Sequence, residues 1–312
     1  MLSVVVRRLL LGLPNIVLIS LLLFFSVAGV LGNPATLMLG LDATPERIAE
    51  LEHQFGFDRP LLVQYLEWMA HAFQGDFGRS YSTGQRVADI LVPRLLPSVE
   101  LAVLGIVVAT TCAVLLSSLT VARRVIRPIV TLLSLIGITV PNFMLGITLI
   151  YVFSVALGWL PTSGWSSWSS GIGLHFLHLI LPVTTLAAYY FASFGLVYRA
   201  EYRATQRRLY IQVARAKGLS ETSVSFRHIL PNSILPVITQ VGSSLGQLAA
   251  GSLVTETVFS IPGIGTLFTS ALLGRDFPVF LAVGMITIVS VMVMNLLADV
   301  LYVVANPQIR LD

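Results

Sequence analysis

The sequence has few charged residues and a single lysine. Only 11% of its 312 residues are Asp, Glu, Lys or Arg, while 55% are hydrophobic, and the mean hydropathy is +0.86. Soluble domains carry about a quarter charged residues, because most of their surface faces water. So low a charge content excludes an ordinary soluble protein and indicates a chain that lies largely in a membrane.

The chain also lacks the residues that two other kinds of site require. A phosphate-binding P-loop has the pattern GxxxxGK[ST], in which the lysine reaches the β and γ phosphates of ATP. The single lysine, Lys217, stands between Ala216 and Gly218 and fits no such pattern. The single cysteine, Cys112, excludes an intramolecular disulfide. We expect no cofactor and no metal in this chain, and any step driven by ATP must come from another subunit.

Long apolar runs dominate the rest of the sequence. About 20 apolar residues suffice for a helix to span a hydrocarbon core of roughly 30 Å. Six runs meet this length, at about 9–31, 98–122, 129–157, 176–198, 233–258 and 279–305. The third is long enough for one tilted or one kinked helix, and the first is too long for the apolar part of a signal peptide. We predict an all-α polytopic membrane protein with six transmembrane helices.

The distribution of arginine predicts the orientation. Basic residues in short loops stay in the cytoplasm, and thirteen of the 19 basic residues fall at the two termini and in the loops after the second and fourth runs. The loop at 158–175 has no formal charge and three tryptophans, which suits a membrane interface, and the segment at 32–97 has eight acidic and five basic residues. We expect both termini inside the cell and these two segments outside it.

The segment at 32–97 contains helix signals. Thr44 is a suitable N-cap before Pro45, and Gly56 is suited to end the helix that they begin. A second helix is predicted over 60–73, with one apolar face formed by Leu62, Tyr65, Leu66, Met69 and Phe73. We expect a small helical cap packed on the membrane domain, and contact with an outside partner is a further hypothesis.

The stretch GSSLG at 242–246 fits two patterns. GxSxG is the pattern of a hydrolase nucleophile, but that motif lies at a turn between a strand and a helix, whereas this one lies inside the fifth apolar run. Small residues four apart instead let two membrane helices approach closely. We favour helix packing by Gly242, Gly246 and Ala250 over a nucleophile at Ser244.

Histidines, carboxylates and prolines in or near the apolar runs can each be either structural or functional. His175 and His178 have no carboxylate or cysteine close by in sequence, so interfacial histidines are favoured over a metal site. Carboxylates at the ends of runs lie either along a transport pathway or in the headgroup region; these are Glu100, Glu256 and Asp299. A proline break in a span is tolerated where neighbours or water satisfy the freed carbonyls. The candidates for a transport pathway are Pro141, Asn142 and Glu256.

The loop between the fourth and fifth runs is basic and contains a second pair of helix signals. Residues 210–217 are good helix formers, Gly218 suits the left-handed conformation that ends a helix, and Ser220 is a suitable cap for another short helix toward Pro231. A lipid-bound amphipathic segment would separate its polar and apolar faces more cleanly. Small residues such as Ala214 instead suit insertion into a protein groove.

This loop resembles the "EAA" loop of ABC importer permeases, whose pattern is EAA, three residues, Gly, nine residues and IxLP. Gly218 occupies the glycine position, and Leu230 and Pro231 fall at the LP offset. Gln212 and Val213 replace Glu and Ala, so the general pattern fits in part. The stretches ARAKGLS, RHILPN, TVPNFMLG, ETVFSIPGIG, RDFP and NPQIRL are similar to the dipeptide, oligopeptide and nickel permeases, and FGFDRPLLVQYLEW and GDFGRSYSTGQRV to their B-type subunit.

The resemblance implies the type I ABC importer permease fold and a coupling loop at 199–232 that docks on a separate ATPase. Its domains would be an N-terminal helix at 1–31, an extracytoplasmic helical segment at 32–97 and a core at 98–312. The residues assigned to coupling are Gln212, Val213, Ala214, Arg215, Ala216, Lys217, Gly218, Leu230 and Pro231. Arg215, Lys217 and Arg227 are expected to pair with acids of the partner.

The same resemblance implies the partners and the location. They are a C-type permease in a heterodimer, two ATPases that bind ATP and magnesium, an extracytoplasmic substrate-binding protein and membrane lipid, with no nucleic acid. The location is the bacterial plasma membrane. Peptides are the expected substrate, and nickel, haem, glutathione and other small solutes stay open as alternatives. A secondary transporter or channel would need no ATPase, but it would leave the helix-Gly-helix loop without a role.

Overall fold

The computed structural model describes residues 2–31, 34–39, 43–122 and 124–305, and these residues are almost entirely helical. In the part of the chain so described, β pairing is confined to one isolated bridge between Arg79 and Arg86. The helices of the first half are α1 (Leu2–Leu31), α2 (Pro34–Leu39), α3 (Pro45–Phe55), α4 (Leu61–Phe73), α5 (Val87–Ala122), α6 (Arg127–Thr139) and α7 (Asn142–Leu149). Those of the second half are α8 (Ile172–Gln206), α9 (Leu209–Ala216), α10 (Glu221–Val224), α11 (Leu230–Ser233), α12 (Leu235–Val258), α13 (Ile264–Leu273) and α14 (Phe277–Ala305).

Three helices of the described residues are long and apolar enough to cross a membrane by themselves, within Val87–Thr120, Ile172–Gln206 and Phe277–Ala298. A fourth candidate is the pair Arg127–Thr139 and Asn142–Ala156, which is bent by 119°. The third predicted span is therefore broken rather than straight. Pro141 disfavours helical backbone at the residue before it, and Val140 is extended there, with ψ of 124°.

The second span begins earlier than the sequence predicted. The apolar run predicts a start near residue 98, but α5 begins at Val87 and continues through Pro93 and Pro97. Val87 and Leu91 are almost fully buried against residues of α1, α4 and α14. The extra turns of helix are therefore held by tertiary packing, and the last residues of the predicted 32–97 segment belong to α5.

Two hydrophobic cores hold these helices together. One lies among α5, α6, α8 and α12, with Leu101, Leu186, Phe194 and Tyr198 at its centre. The other joins α1, α4, α13 and the start of α14 to the beginning of α5. The insert, which we define as residues 34–86 between α1 and α5, is anchored through this second core.

Within the insert, the predicted caps of α3 are confirmed. The Thr44 hydroxyl accepts a hydrogen bond from the Arg47 amide, Pro45 is the first helical residue and Gly56 is left-handed with φ of 71°. The predicted apolar face of α4 is wrong in part, because only Tyr65 and Met69 of its five members are buried. The other three, Leu62, Leu66 and Phe73, are 55 to 70% exposed, since α4 packs on α1 along a narrow stripe.

Candidate functional site

The basic loop between α8 and α12 folds as a compact chain of short helices over residues 209–233, which we call the α9–α11 segment. Gly218 follows α9 with φ of 80°, as the sequence predicted. Ser220 then caps α10, its hydroxyl accepting a hydrogen bond from the Ser223 amide. A π-helical turn over Ser225–Ile229 continues directly into α11.

One face of this segment is anchored to the rest of the chain. Ile211, Val224 and Ile229 are completely buried in the larger hydrophobic core. The hydroxyls of Tyr202, near the end of α8, and Ser225 are hydrogen bonded at 2.7 Å. The segment is therefore anchored to the end of α8 and to the start of α12, into which it continues.

The other face exposes large apolar side chains. Leu209 is 74% exposed, Phe226 64%, Val213 45% and Tyr210 41%. Sequence reasoning found only Val213 among these four, because exposure depends on which side of α9 meets the core. Of the residues predicted to couple, Gln212, Ala216, Lys217, Gly218 and Pro231 are exposed as well.

Two of the residues predicted to contact a partner are used inside the chain instead. Ala214 is largely buried and packs against this chain. Arg215 donates from Nε and Nη2 to the two carboxylate oxygens of Glu221, at 2.7 and 3.1 Å, across the turn at Gly218. The hydrogen bond to Glu221 raises the pKa of Arg215. Lys217 and Arg227 remain exposed, and Leu230 is half-buried.

The small residues of α12 lie against α14. A Cβ atom at Gly242 would stand 3.1 Å from the Cβ of Ala298, and one at Gly246 would stand 2.8 Å from Asn295 Oδ1. The side chain of Ala250 lies outside the described residues. Ser244 is buried inside α12 and donates to the Gln240 carbonyl at 2.8 Å, so it is not placed on the exposed turn that a hydrolase nucleophile occupies.

The residues predicted for a pathway are separated in the structure. Pro141 and Asn142 line a cleft of about 400 Å³ between the break after α6 and the middle of α8, where Tyr189 and Tyr190 form the other wall. Glu256 does not line this cleft and is completely buried, and its place on a transport pathway stays a prediction. Asp299 lies outside the residues with described side chains.

Glu256 instead holds the N-terminus of α13. Its Oε2 accepts hydrogen bonds from the amides of Gly265, at 2.6 Å, and Thr266, at 3.4 Å. Those amides have no partner within their own helix, and a carboxylate there also meets the positive end of the helix dipole. The role of Glu256 in this conformation is to fix the turn between α12 and α13.

The chain matches a family of membrane transport proteins over nearly its whole length. Residues 101–311 match the family described as binding-protein-dependent transport system inner membrane component, and residues 1–102 match the N-terminal domain of the same kind of protein. The chain belongs to this family. The resemblance to the dipeptide and oligopeptide permeases that the motifs indicated is thereby confirmed.

Related proteins align with nearly the whole chain. It is 37% identical to the glutathione transport system permease protein GsiC of Escherichia coli, over 99% of both chains. It is 34% identical to the probable peptide ABC transporter permease protein y4tP of Sinorhizobium fredii, over 98% of both. The crystal structure of an amino acid ABC transporter with histidines matches with a TM-score of 0.52 at 15% identity, over 69% of this chain and 93% of that one, which shows the fold alone. The chain is a permease subunit of an ABC importer.

Two buried polar clusters of the permease were not predicted, because their members are far apart in sequence. Asp276, between α13 and α14, accepts hydrogen bonds from the hydroxyls of Ser80 and Ser82 and from the amides of Tyr81 and Ser82. This cluster ties the insert to the start of α14. The stretches RDFP and GRSYST contain these residues, but no spacing rule joins positions nearly 200 residues apart.

The second cluster joins α5 to the start of α8. His175 Nε2 and Glu100 Oε1 are 2.7 Å apart, and the Trp165 indole donates to Glu100 Oε2 at 3.1 Å. The Trp168 ring stacks on the imidazole with centroids 4.0 Å apart. The tryptophan loop therefore folds over a buried His–Glu pair, and His175 does not act as an exposed interfacial residue.

Proposed function

We propose that this permease imports small peptides as one half of a heterodimeric pathway, driven by ATPase subunits that dock on the α9–α11 segment. The observation that carries the proposal is the construction of that segment. Its buried side is fixed to α8 and α12, while its free side presents Leu209, Val213 and Phe226 to solvent. Exposed apolar groups of this kind mark a surface that a protein partner covers.

The proposed topology has six spans and both termini in the cytoplasm. To the long helices α5, α8 and α14 and the bent α6–α7 pair we add α1 and α12, which are 30 and 24 residues long. At 1.5 Å per residue, both exceed a hydrocarbon core of about 30 Å. The arginine-rich α9–α11 segment then lies in the cytoplasm of a bacterial cell, and the insert lies outside the membrane.

In this arrangement the permease transmits work and catalyses no reaction. ATP and magnesium would be bound by two partner ATPases, because the single lysine of this chain lies in no P-loop. Closure of the ATPases on ATP would push the α9–α11 segment, and the anchored helices α8 and α12 would move with it. The second wall of the pathway would come from a C-type permease, with the cleft at Pro141 and Asn142 on this side.

The proposed substrates are small peptides delivered by an extracytoplasmic binding protein. The relatives that cover the chain are named for peptide and for glutathione transport, and glutathione is itself a tripeptide. The insert and the tryptophan loop at 158–171 lie on the side where such a binding protein would dock. Stimulation of ATP hydrolysis by a peptide-loaded binding protein, and none by the empty protein, is the result expected in a reconstituted complex.

The coupling role is tested by Gly218→Asp. Gly218 has φ of 80°, where a side chain is strained, and nothing lies within 4 Å of the Cβ position. The substitution should therefore change the angle between α9 and α10 without a steric clash, and ATP hydrolysis should continue while transport falls. Gly75→Asp is the matched control, since Gly75 has φ of 78° and equally open surroundings but lies in the insert. Transport at the wild-type rate by Gly218→Asp would refute the assignment.

A further inference from the structure

Three arginines gather where α8 leaves the predicted span. The Arg199 guanidinium lies against the hydroxyls of Ser117, on α5, and Ser134, on α6, with N–O distances of 3.4 and 3.5 Å. Both serines are buried. Arg203 follows one turn later on α8, and Arg127 is the first residue of α6, which packs along α8. A half-buried guanidinium thus sits at the junction of three helices, with two exposed cations beside it.

The hydroxyls of Ser117 and Ser134 are neutral, so they do not balance the positive charge of Arg199. The neighbouring charges on Arg203 and Arg127 have the same sign as Arg199, so they add to the cost of burying it. The nearest acid along α8, Glu201, accepts from Arg208 and from Thr205, both at 3.3 Å. Among the described side chains, those that hydrogen bond to the Arg199 guanidinium are the two serines. A guanidinium has five N–H donors, and a partly buried cation is costly unless an anion accompanies it, so the junction is built to receive a negative group.

The depth of the junction restricts what this group can be. Arg199 lies 27 residues after Ile172, or about 40 Å along the helix at 1.5 Å per residue. The hydrocarbon core is about 30 Å thick. Since the tryptophan loop precedes Ile172 and suits one interface, Arg199 falls at the headgroup level of the opposite leaflet, on the side of the α9–α11 segment.

The surroundings also fit a lipid. Leu196, one turn before Arg199 on α8, is 49% exposed, and Ile129, Leu132 and Leu133 on α6 are 45 to 59% exposed. Apolar side chains therefore lie on the membrane side of the cations. A phosphate oxygen pair matches the guanidinium fork, and basic pockets between membrane helices are suited to anionic headgroups.

We propose that Arg199, Arg203 and Arg127 bind the phosphate of an anionic phospholipid in the leaflet next to the α9–α11 segment, with Ser117 and Ser134 orienting Arg199. The acyl chains would lie along the exposed leucines and isoleucine of α6 and α8. The bound lipid would neutralise the junction where α5, α6 and α8 meet, ten residues before the chain enters α9 at Leu209.

The test uses the complete complex purified in mild detergent and titrated with phosphatidylglycerol, with bound lipid counted by native mass spectrometry. Phosphatidylcholine is the zwitterionic control, and inorganic phosphate is the soluble competitor. Arg199→Gln and Arg127→Gln are compared with Arg207→Gln, an exposed arginine of the same region. Because Arg127 is exposed, its variant is expected to fold even if Arg199→Gln does not.

The expected result is that both Arg199→Gln and Arg127→Gln weaken phosphatidylglycerol binding about tenfold or more, while Arg207→Gln binds like the wild type. Equal binding by all four proteins would overturn the proposal. So would displacement of the lipid by inorganic phosphate, which would indicate a site for a soluble anion. Loss of a partner subunit from Arg199→Gln with phosphatidylglycerol binding unchanged would also overturn it, in favour of a carboxylate on the partner.

Discussion

The insert and the α9–α11 segment are both made of short helices outside the spans, and they are attached in different ways. The insert is held by the second hydrophobic core and, in addition, by a buried carboxylate, Asp276, which accepts four hydrogen bonds from residues 80–82. The α9–α11 segment is held by apolar anchors such as Ile211 and Ile229. Its one salt bridge, between Arg215 and Glu221, lies on the surface.

The kind of attachment determines how each region can respond to a partner. A network of directional hydrogen bonds permits one geometry, because a small shift leaves buried donors unpaired. Apolar contacts are non-directional, so the α9–α11 segment and the helices that anchor it can move together without leaving buried donors unpaired. The insert is therefore expected to be a rigid platform, and the α9–α11 segment a movable one.

Asp276→Ala should destabilise the permease most. Two amides and two hydroxyls of Ser80, Tyr81 and Ser82 would lose a buried charged acceptor, at a cost of at least about 3 kcal/mol. Thermal unfolding of the purified complex and protease sensitivity of the insert are the measurements. Asp58→Ala is the control, because Asp58 is an exposed acid of the same insert. An unchanged melting temperature for Asp276→Ala would show that the network does not hold the insert.

Val213→Asp should weaken attachment of the ATPase subunits by about 2 kcal/mol, or roughly 30-fold, because docking would bury an unpaired charge. The measurement is the amount of ATPase that co-purifies with the tagged permease at several salt concentrations. Phe73→Asp, at a 70% exposed apolar position of the insert, is the matched control and should retain the ATPases. Equal loss from both variants would contradict a specific docking face on α9.

The surface salt bridges of the two regions should contribute little. Arg215→Gln should destabilise the turn at Gly218 by about 0.5 kcal/mol, since exposed ion pairs are weak. Hydrogen exchange of the amides near Gly218 should then be about twofold faster. Arg59→Gln removes the comparable exposed pair with Glu67 in the insert and should change local exchange there by a similar factor. An exchange rate near Gly218 that rises tenfold or more in Arg215→Gln would mean that this salt bridge stabilises the turn substantially.

Tyr81→Phe should have no effect near neutral pH and a measurable one in alkali. Burial, and then the negative charge of Asp276, raise the pKa of Tyr81 above its ordinary value of 10.0. The unfolded chain therefore loses this proton first, and the stability that the neutral phenol contributes falls as pH rises above about 10. From pH 7 to 11, the melting temperature of Tyr81→Phe should decline less steeply than that of the wild type. The control Tyr210→Phe should decline as steeply as the wild type. Parallel declines in all three proteins would contradict this.

Local signals in the sequence predicted local structure well. Thr44, Gly56, Gly218 and Ser220 take the capping conformations expected of them, because a cap depends on residues within one turn. Contacts between distant residues could not be predicted in this way. The acceptor of Ser80 is Asp276, and the partner of His175 is Glu100, and neither pair is close in sequence.

The sequence by itself determined that the chain is a helical membrane protein of the permease family, because apolar length and short motifs are properties of contiguous residues. Only the tertiary structure decided which faces are covered. It placed Ala214 inside and Leu209 outside, set Glu256 against the N-terminus of α13, and bent the third predicted span at Pro141 by 119°. Burial depends on which helices meet, and that is settled by the packing of the whole chain.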